Sequence, residues 1–133
     1  MSEKIRPSVD QWLQEAKALP LAQECGMYLV HNGTVRRTSR AQVRDGAADT
    51  APVVGMDFSY NREKLQEILM DAQVLPGIFH VRIWLNEGRL DVGEDIMQVL
   101  VAGDIRPHVV AALEYVVGRI KSECVSEREQ YEC

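Results

Sequence analysis

The pattern of apolar positions changes from a continuous run to a helical spacing in the last third of the chain. Residues 96–102 form an apolar run with several β-branched side chains, which predicts a strand buried on both faces. Residues 103–108 are turn-like, and Pro107 stands where a helix can begin. From Val109 to Cys124 the apolar residues recur at helical spacing, so we expect a long helix with one apolar face.

Two basic residues continue the edge of that apolar face. With about 100° of rotation per residue, Lys121 and Arg128 fall in one row with Val110 and Val117, where apolar surface meets solvent. Burial and the like charge of Arg128, about 10 Å along the row, would favour loss of a proton from Lys121. Lys121 is therefore a candidate acid, base or nucleophile. The alternative is a lysine whose stem covers apolar surface while its ammonium stays in water.

The N-terminal region predicts a helix, a strand and a tight turn. Ser8 begins the helix through a capping box, and Pro20 ends it. Met27–His31 predicts a strand. Asn32–Gly33 is a strong turn dipeptide, after which we expect residues 34–37 to resume an extended conformation.

The middle of the chain predicts a second helix between strands. Alternation over residues 54–58 is typical of a strand with one buried face. Asn61 is placed to cap a helix that carries an apolar stripe of leucine, isoleucine and alanine. Residues 79–85 alternate and predict an amphipathic strand, with turns at 86–88 and 92–93.

This order of helices and strands predicts an α+β sandwich, in which helices pack on one face of a mixed sheet. A chain of 133 residues is typical of one domain, so we expect a single domain over residues 1–133, with an N-terminal helical region at 1–20. Thr38–Pro52 has no periodicity, and we expect it to be a mobile loop.

Charge and cysteine usage exclude several classes of function. The formal net charge of −5 disfavours non-specific binding to nucleic acid or to anionic membranes. Three cysteines without CxxC spacing, and histidines without ligand spacing, predict neither a disulfide framework nor a metal site or other cofactor. His31 and His80 stand alone, so we expect them to be structural or exposed. With no secretory signal and no apolar run of about 20 residues, the reducing cytoplasm is the expected compartment.

Cationic residues gather at two predicted turns. Arg36 and Arg37 follow the Asn32–Gly33 turn, and Arg106 and His108 lead into the last helix. The first backbone N–H groups of a helix are unpaired and partly positive, so such a terminus binds phosphate or carboxylate readily. If Arg36 reached this terminus, an anion site would result, in which each charge-assisted hydrogen bond contributes on the order of 1.5–3 kcal/mol.

Four segments, in order, resemble the large catalytic subunit of molybdopterin synthase. Gly26–Arg36 resembles the first strand and the G-x-V-R motif of that family, and Gly88–Ile96 resembles its G-x-L-x-x-G-(D/E) turn and following strand. Pro107–His108 resembles the histidine that opens the last helix, and Glu114–Lys121 the helix with the essential lysine. The matching pieces run from about Leu21 to Arg128, which is most of the chain.

The resemblance implies a hammerhead-like α/β fold and a homodimer. It also implies, at each end, a small ubiquitin-like sulfur-carrier subunit with a C-terminal thiocarboxylate, so that the assembly is a heterotetramer. The implied reaction is two transfers of sulfur into cyclic pyranopterin monophosphate, which open the cyclic phosphate and form the dithiolene of molybdopterin. Carried over by position, Arg36 and His108 would hold the pterin phosphate, and Lys121 would assist the transfer beside the carrier tail.

The sequence departs from the family pattern at two of these positions. Val109 stands where the family usually has arginine, and Arg106 is the candidate substitute. Arg128 stands where the family has a second lysine, and it keeps the charge but cannot act as a base. Two alternatives to the enzyme therefore remain. One is a non-catalytic dimeric module of the same fold that docks a sulfur carrier or an anionic pterin, and the other is a small regulatory domain.

Overall fold

Two antiparallel three-stranded sheets form the framework of the described chain, which comprises residues 6–39, 43, 46 and 51–131 of a computed structural model. The mobility predicted for Thr38–Pro52 falls mostly outside these described residues. In chain order the elements are α1 (Val9–Lys17), a 3₁₀ helix (Pro20–Glu24), β1 (Met27–Thr34), β2 (Val53–Tyr60), α2 (Arg62–Gln73), β3 (Ile78–Leu85), β4 (Gly88–Asp91), β5 (Asp95–Gly103), α3 (Arg106–Arg119), a π-helical segment (Ile120–Cys124) and β6 (Val125–Tyr131).

The strands pair in the order β1-β5-β3 in sheet A and β4-β2-β6 in sheet B. The α+β class is confirmed, and β5 is buried on both faces as its apolar run predicts. The prediction of one mixed sheet is wrong, because every observed pairing is antiparallel. Helix α2 joins β2 in sheet B to β3 in sheet A, so it is not a crossover between parallel strands of one sheet.

Helices cover both faces of sheet A, which corrects the prediction of a single covered face. On one face, Met27 and Leu29 of β1 pack in the main core with residues of α2 and α3 such as Ile68 and Val116. The opposite face packs against α1 through a second cluster, formed by Trp12, Ala16 and Leu100 with Leu13, Tyr28, Val30 and Trp84 around them. The alternation of side chains along β1 therefore serves two separate cores.

Both predicted helix caps are confirmed. The Ser8 side chain accepts a hydrogen bond from the backbone N–H of Gln11, and the Asn61 side chain accepts one from Lys64 at 3.0 Å. Each cap satisfies a backbone donor that has no partner within its helix.

The turn predicted at Asn32–Gly33 is absent, because β1 continues through both residues to Thr34. Asn32 lies opposite Gln98 of β5 and Gly33 lies opposite Met97. Ladder hydrogen bonds to a buried central strand thus override the local turn preference, and the register becomes irregular only between Gly33 and Thr34.

The last helix is shorter than its apolar periodicity predicts. It ends at Arg119, the π-helical segment follows, and the chain then enters β6, where Arg128 lies opposite Asp57 of β2. The prediction that Lys121 and Arg128 lie in one row on the face of a single helix is therefore wrong. Pairing with most of β2 stabilises β6 as a strand. The local sequence of this segment, which continues the helical spacing as far as Arg128, does not predict it.

Arg119 ties the end of α3 to its surroundings. Its guanidinium donates hydrogen bonds to Glu123 of the π-helical segment at 2.8 Å, to Asp71 of α2 at 2.6 Å and to the Tyr115 hydroxyl at 2.9 Å. These hydrogen bonds raise the pKa of Arg119, and the bond to Glu123 makes the largest contribution. The same bond lowers the pKa of Glu123. The arginine thus holds the start of the π-helical segment against α2.

No helix in the described part of the chain has the length and apolar character needed to cross a membrane.

The π-helical segment is anchored by Ile120, whose side chain is fully buried. We expect Ile120→Ala to lower the free energy of unfolding by about 2–5 kcal/mol, because it removes buried methyl groups and leaves a cavity. The matched control is Ile105→Ala at an exposed position, which should change stability by less than about 0.5 kcal/mol. Urea unfolding followed by circular dichroism measures both, and equal losses would contradict this role of Ile120.

Candidate active site

A cleft of about 260 Å³ lies where sheets A and B meet. Side chains from β1, β2, β5, β6 and the π-helical segment line it, so it depends on the assembled fold rather than on one motif. The lining residues are His31, Gly33, Thr34, Arg36, Met56, Ile96, Met97, Lys121, Glu127 and Glu129.

Lys121 reaches the cleft from the π-helical segment. Ile120 and Cys124 on either side of it are buried and fix the segment, while Lys121 itself is exposed. Within the described residues, no carboxylate lies within ion-pair distance of its ammonium. π-helical turns inside helices are frequent at functional sites, where they change the direction of a side chain.

Arg36 reaches the same cleft from the segment that follows β1. The preceding residue, Val35, is buried, and its backbone N–H and carbonyl bond to Glu94 and Gly93 in the turn before β5. The Arg36 Nε–H donates to the Thr38 carbonyl at 3.0 Å. The structure therefore brings together Arg36 and Lys121, two of the cations that the sequence singles out.

Two carboxylates face these cations. Glu127 and Glu129 of β6 point into the cleft, and the Tyr131 hydroxyl donates to Glu129 at 3.0 Å. The sequence pattern gives no signal for these two glutamates, because their placement requires a strand after the last helix. Among the described lining residues two cations face two carboxylates, so attraction for an anion is strongest on the side of Arg36 and Lys121.

His31, for which the sequence predicts a structural or exposed position, also lines this cleft. The imidazole is half-buried, and its Nε2 atom faces Gly33 in the cleft wall. Burial first, and the charge of Lys121 second, lower the pKa of His31 below its ordinary value of 6.5. Its position two residues before Gly33 on the same strand face was the only sequence signal for this placement.

His108 lies elsewhere, in the first turn of α3. Its Nδ1 atom is 2.7 Å from the Asp104 carboxylate, which also accepts the backbone N–H of Ile105 at 2.6 Å. The His108 contact is the main cause that lowers the pKa of Asp104. Gly77 packs against both side chains, and a Cβ there would overlap them. One ring nitrogen of His108 is thus already hydrogen-bonded to the Asp104 carboxylate.

The separation between His108 and Arg36 follows from the register of sheet A. Met27 pairs with Gly103 close to His108, whereas Gly33 pairs with Met97 in the cleft. Six residues of extended strand span about 20 Å. Within one chain, therefore, His108 and the exposed Arg106 do not join Arg36 and Lys121.

Two other predicted residues lie outside the cleft lining. The Arg128 side chain is on the opposite face of β6 from Glu127 and Glu129, in a surface groove that also contains Asp57 and Arg89. Arg37 is exposed directly after Arg36, and its backbone carbonyl accepts from Val53 at 2.8 Å.

Metal binding and the buried thiol of Cys124 are two further aspects of the chemistry of the described residues. No group of three histidine, cysteine or acidic side chains in this part of the chain is placed to hold a metal ion. Cys124 is buried and its thiol contacts the Asn61 carbonyl, and burial raises its pKa. A thiol with a raised pKa is a poor nucleophile.

Solved structures show the same fold. Molybdopterin synthase from Staphylococcus aureus superposes with a TM-score of 0.73 at 19% identity, over 95% of this chain and 86% of that one. A MoaE protein from Burkholderia ambifaria superposes with a TM-score of 0.69 at 21% identity, over 94% of this chain and 83% of that one. A complex of subunits 1 and 2 of molybdopterin-converting factor from Helicobacter pylori superposes with a TM-score of 0.66 at 14% identity, over 95% of this chain and 80% of that one.

The sequence itself matches a family model. A comparison with curated protein sequences gives no match. The model of the MoaE protein family, in contrast, matches residues 6–123, which include the whole of sheet A and the site of Lys121. This chain therefore belongs to the MoaE family, the molybdopterin synthase-type enzymes of molybdenum cofactor biosynthesis.

Proposed function

We propose that this protein transfers sulfur from the C-terminal thiocarboxylate of a small ubiquitin-like carrier to cyclic pyranopterin monophosphate, twice, and so forms the molybdopterin dithiolene. The observation that carries the proposal is the cleft between the two sheets, which both Arg36 and Lys121 line. Neither side chain forms an ion pair with a carboxylate among the described residues. Both proposed guests, a pterin phosphate and a thiocarboxylate, are anions.

Arg36 is assigned to the pterin phosphate. A guanidinium presents several donors in a fixed plane that suits phosphate oxygens. Its Nε–H already bonds to Thr38, which holds the group in place and leaves the terminal nitrogens for the guest. Because Glu127 and Glu129 lie across the cleft, a phosphate should bind on the Arg36 side, away from them.

Lys121 is assigned to the carrier tail. In each transfer, the carrier sulfur bonds to a pterin carbon as a carbon–oxygen bond at that carbon breaks, which in one transfer opens the cyclic phosphate. Water then cleaves the acyl–sulfur bond and leaves a carboxylate on the carrier. Negative charge develops on oxygen and sulfur during these steps. An ammonium at the rim of the cleft stabilises that charge and can donate a proton to it.

The partner in this proposal is a small second subunit. Its support is the similarity to the Helicobacter pylori complex, which contains two different subunits. A reducing compartment such as the cytoplasm suits the chemistry, because thiols and thiocarboxylates are protected from oxidation there.

A homodimer would explain how predicted site residues outside the cleft of their own chain can take part in the reaction. Arg106 and His108 lie about 20 Å from the cleft of their own chain, so they can contact the same guest only from a second copy. Arg128 lies on the outer face of sheet B, and in this proposal it contacts the carrier rather than the pterin.

Lys121→Ala should lower kcat for molybdopterin formation by about 10²–10⁴-fold, because it removes the proposed acid and charge stabiliser. Carrier binding should stay nearly unchanged. The measurement is reconstitution with thiocarboxylated carrier and cyclic precursor, with carrier affinity from calorimetry. Lys17→Ala on α1 is the control and should remain active. If the unmodified protein binds the carrier but forms no product, the non-catalytic docking module is the better function.

Arg36→Ala should raise KM for the cyclic precursor by about 10–100-fold, which corresponds to the 1.5–3 kcal/mol of a charge-assisted hydrogen bond. The control is Arg62→Ala, since Arg62 stacks on Tyr60 away from the cleft. Steady-state kinetics with saturating carrier give both values. An unchanged KM for Arg36→Ala would refute phosphate binding by this residue.

A shared site predicts complementation between two inactive variants. When Lys121→Ala and His108→Ala chains are mixed and allowed to exchange, half of the dimers carry one intact site, so about a quarter of the normal activity should return. The double variant, treated in the same way, should stay inactive. Full activity of His108→Ala alone, or no recovery on mixing, would contradict a site shared between subunits.

A further inference from the structure

His31 is a base in the cleft to which the proposed roles of Arg36 and Lys121 assign no step. It lines the same cleft as Arg36 and Lys121, and no described residue makes a hydrogen bond or an ion pair with its ring. A half-buried imidazole without such a partner is free to exchange a proton with a guest or with water.

The fold explains why His31 faces Lys121. Along β1, His31 has the same parity as Met27 and Leu29, so it points to the face of sheet A that α3 covers. There it lines a shallow groove together with Leu113, Glu114 and Val117 of α3. Lys121 follows Val117 by about one helical turn, which brings its ammonium to the same end of the cleft.

The proposed reaction requires a base at this place. After the carrier sulfur has bonded to the pterin carbon, carrier and pterin are joined by a thioester. Water is a weak nucleophile toward a thioester at neutral pH unless a neighbouring group removes its proton. Lys121 supplies a positive charge, whereas the removal of a proton needs a neutral nitrogen.

We propose that His31 is the general base that activates water to hydrolyse the thioester between carrier and pterin. This inference rests on the proposed function and assigns its second step to a residue of this chain.

The step balances without a further reactant. His31 Nε2 takes a proton from water as the water oxygen bonds to the acyl carbon. The acyl–sulfur bond then breaks, and its electron pair leaves with the sulfur, which stays on the pterin as a thiolate. The carrier departs as a carboxylic acid that loses its proton to solvent, and the proton on the imidazole passes to the thiolate or to solvent. The step is a hydrolysis, so it needs no oxidant or reductant.

Burial and the charge of Lys121 favour the neutral, basic form of the imidazole, because both lower the pKa of His31 below its ordinary value. The charged groups that face it are Arg36, Lys121, Glu127 and Glu129 in the cleft and Glu114 of α3. The hydrolysis rate should therefore be constant near neutral pH and fall only below the lowered pKa of His31.

The test is a single-turnover reaction of His31→Gln with thiocarboxylated carrier and cyclic precursor, followed by intact-mass spectrometry. Glutamine keeps a polar side chain but cannot accept the proton. We expect carrier–pterin conjugate to accumulate and its hydrolysis to slow by about 100-fold, with loss of the acidic limb of the pH profile. Imidazole added to His31→Ala should restore hydrolysis, which a merely structural role would not allow.

His80→Gln is the matched control. His80 is also half-buried with a pKa lowered by burial, but it lies in a different groove beside Cys25 and Ala102. It should react like the unmodified protein. Normal hydrolysis by His31→Gln, or slow turnover without conjugate and without imidazole rescue, would overturn the role of His31 alone. If the unmodified protein forms neither conjugate nor product, the proposed function fails and this inference fails with it.

Discussion

The pairing of β6 with β2 is the constraint on which the site depends. Because the chain leaves α3 through the π-helical segment and runs back along β2, Lys121 is held at the junction of the two sheets. The same pairing directs Glu127 and Glu129 into the cleft and turns Arg128 away from it. A continuous helix through Arg128 would have left the lysine on an open surface with nothing opposite it.

The second constraint is the length of sheet A. Its strands place the Arg36 end and the Asp104–His108 end on opposite sides of the fold, about 20 Å apart. One chain therefore offers two separate cationic regions, each with its own acidic neighbours. In the proposed function a second copy of the chain brings the two regions together, and these local cations bind the anionic guests although the net charge of the chain is −5.

Features that depend on neighbouring residues in the sequence could be predicted. The Ser8 and Asn61 caps, the helix that begins near Pro107 and the buried strand β5 all agree with the structure. Each follows from a side chain bonding to nearby backbone or from apolar spacing along one element. The α+β class and the family could be predicted for the same reason. The order and spacing of short motifs are recognisable even though the identity to known structures is about 20%.

Features that depend on pairing between distant segments could not be predicted. Asn32–Gly33 has the composition of a turn, yet β5 holds it in a strand. The helical row extends to Arg128, yet pairing with β2 places Arg128 in a strand. For the site, the sequence by itself determined that Arg36 is a cation at the end of a strand and that Lys121 is a cation at the edge of an apolar face. Only the tertiary structure decided that they share a cleft with His31 and two glutamates while His108 does not, because long-range strand register fixes which ends of the elements meet.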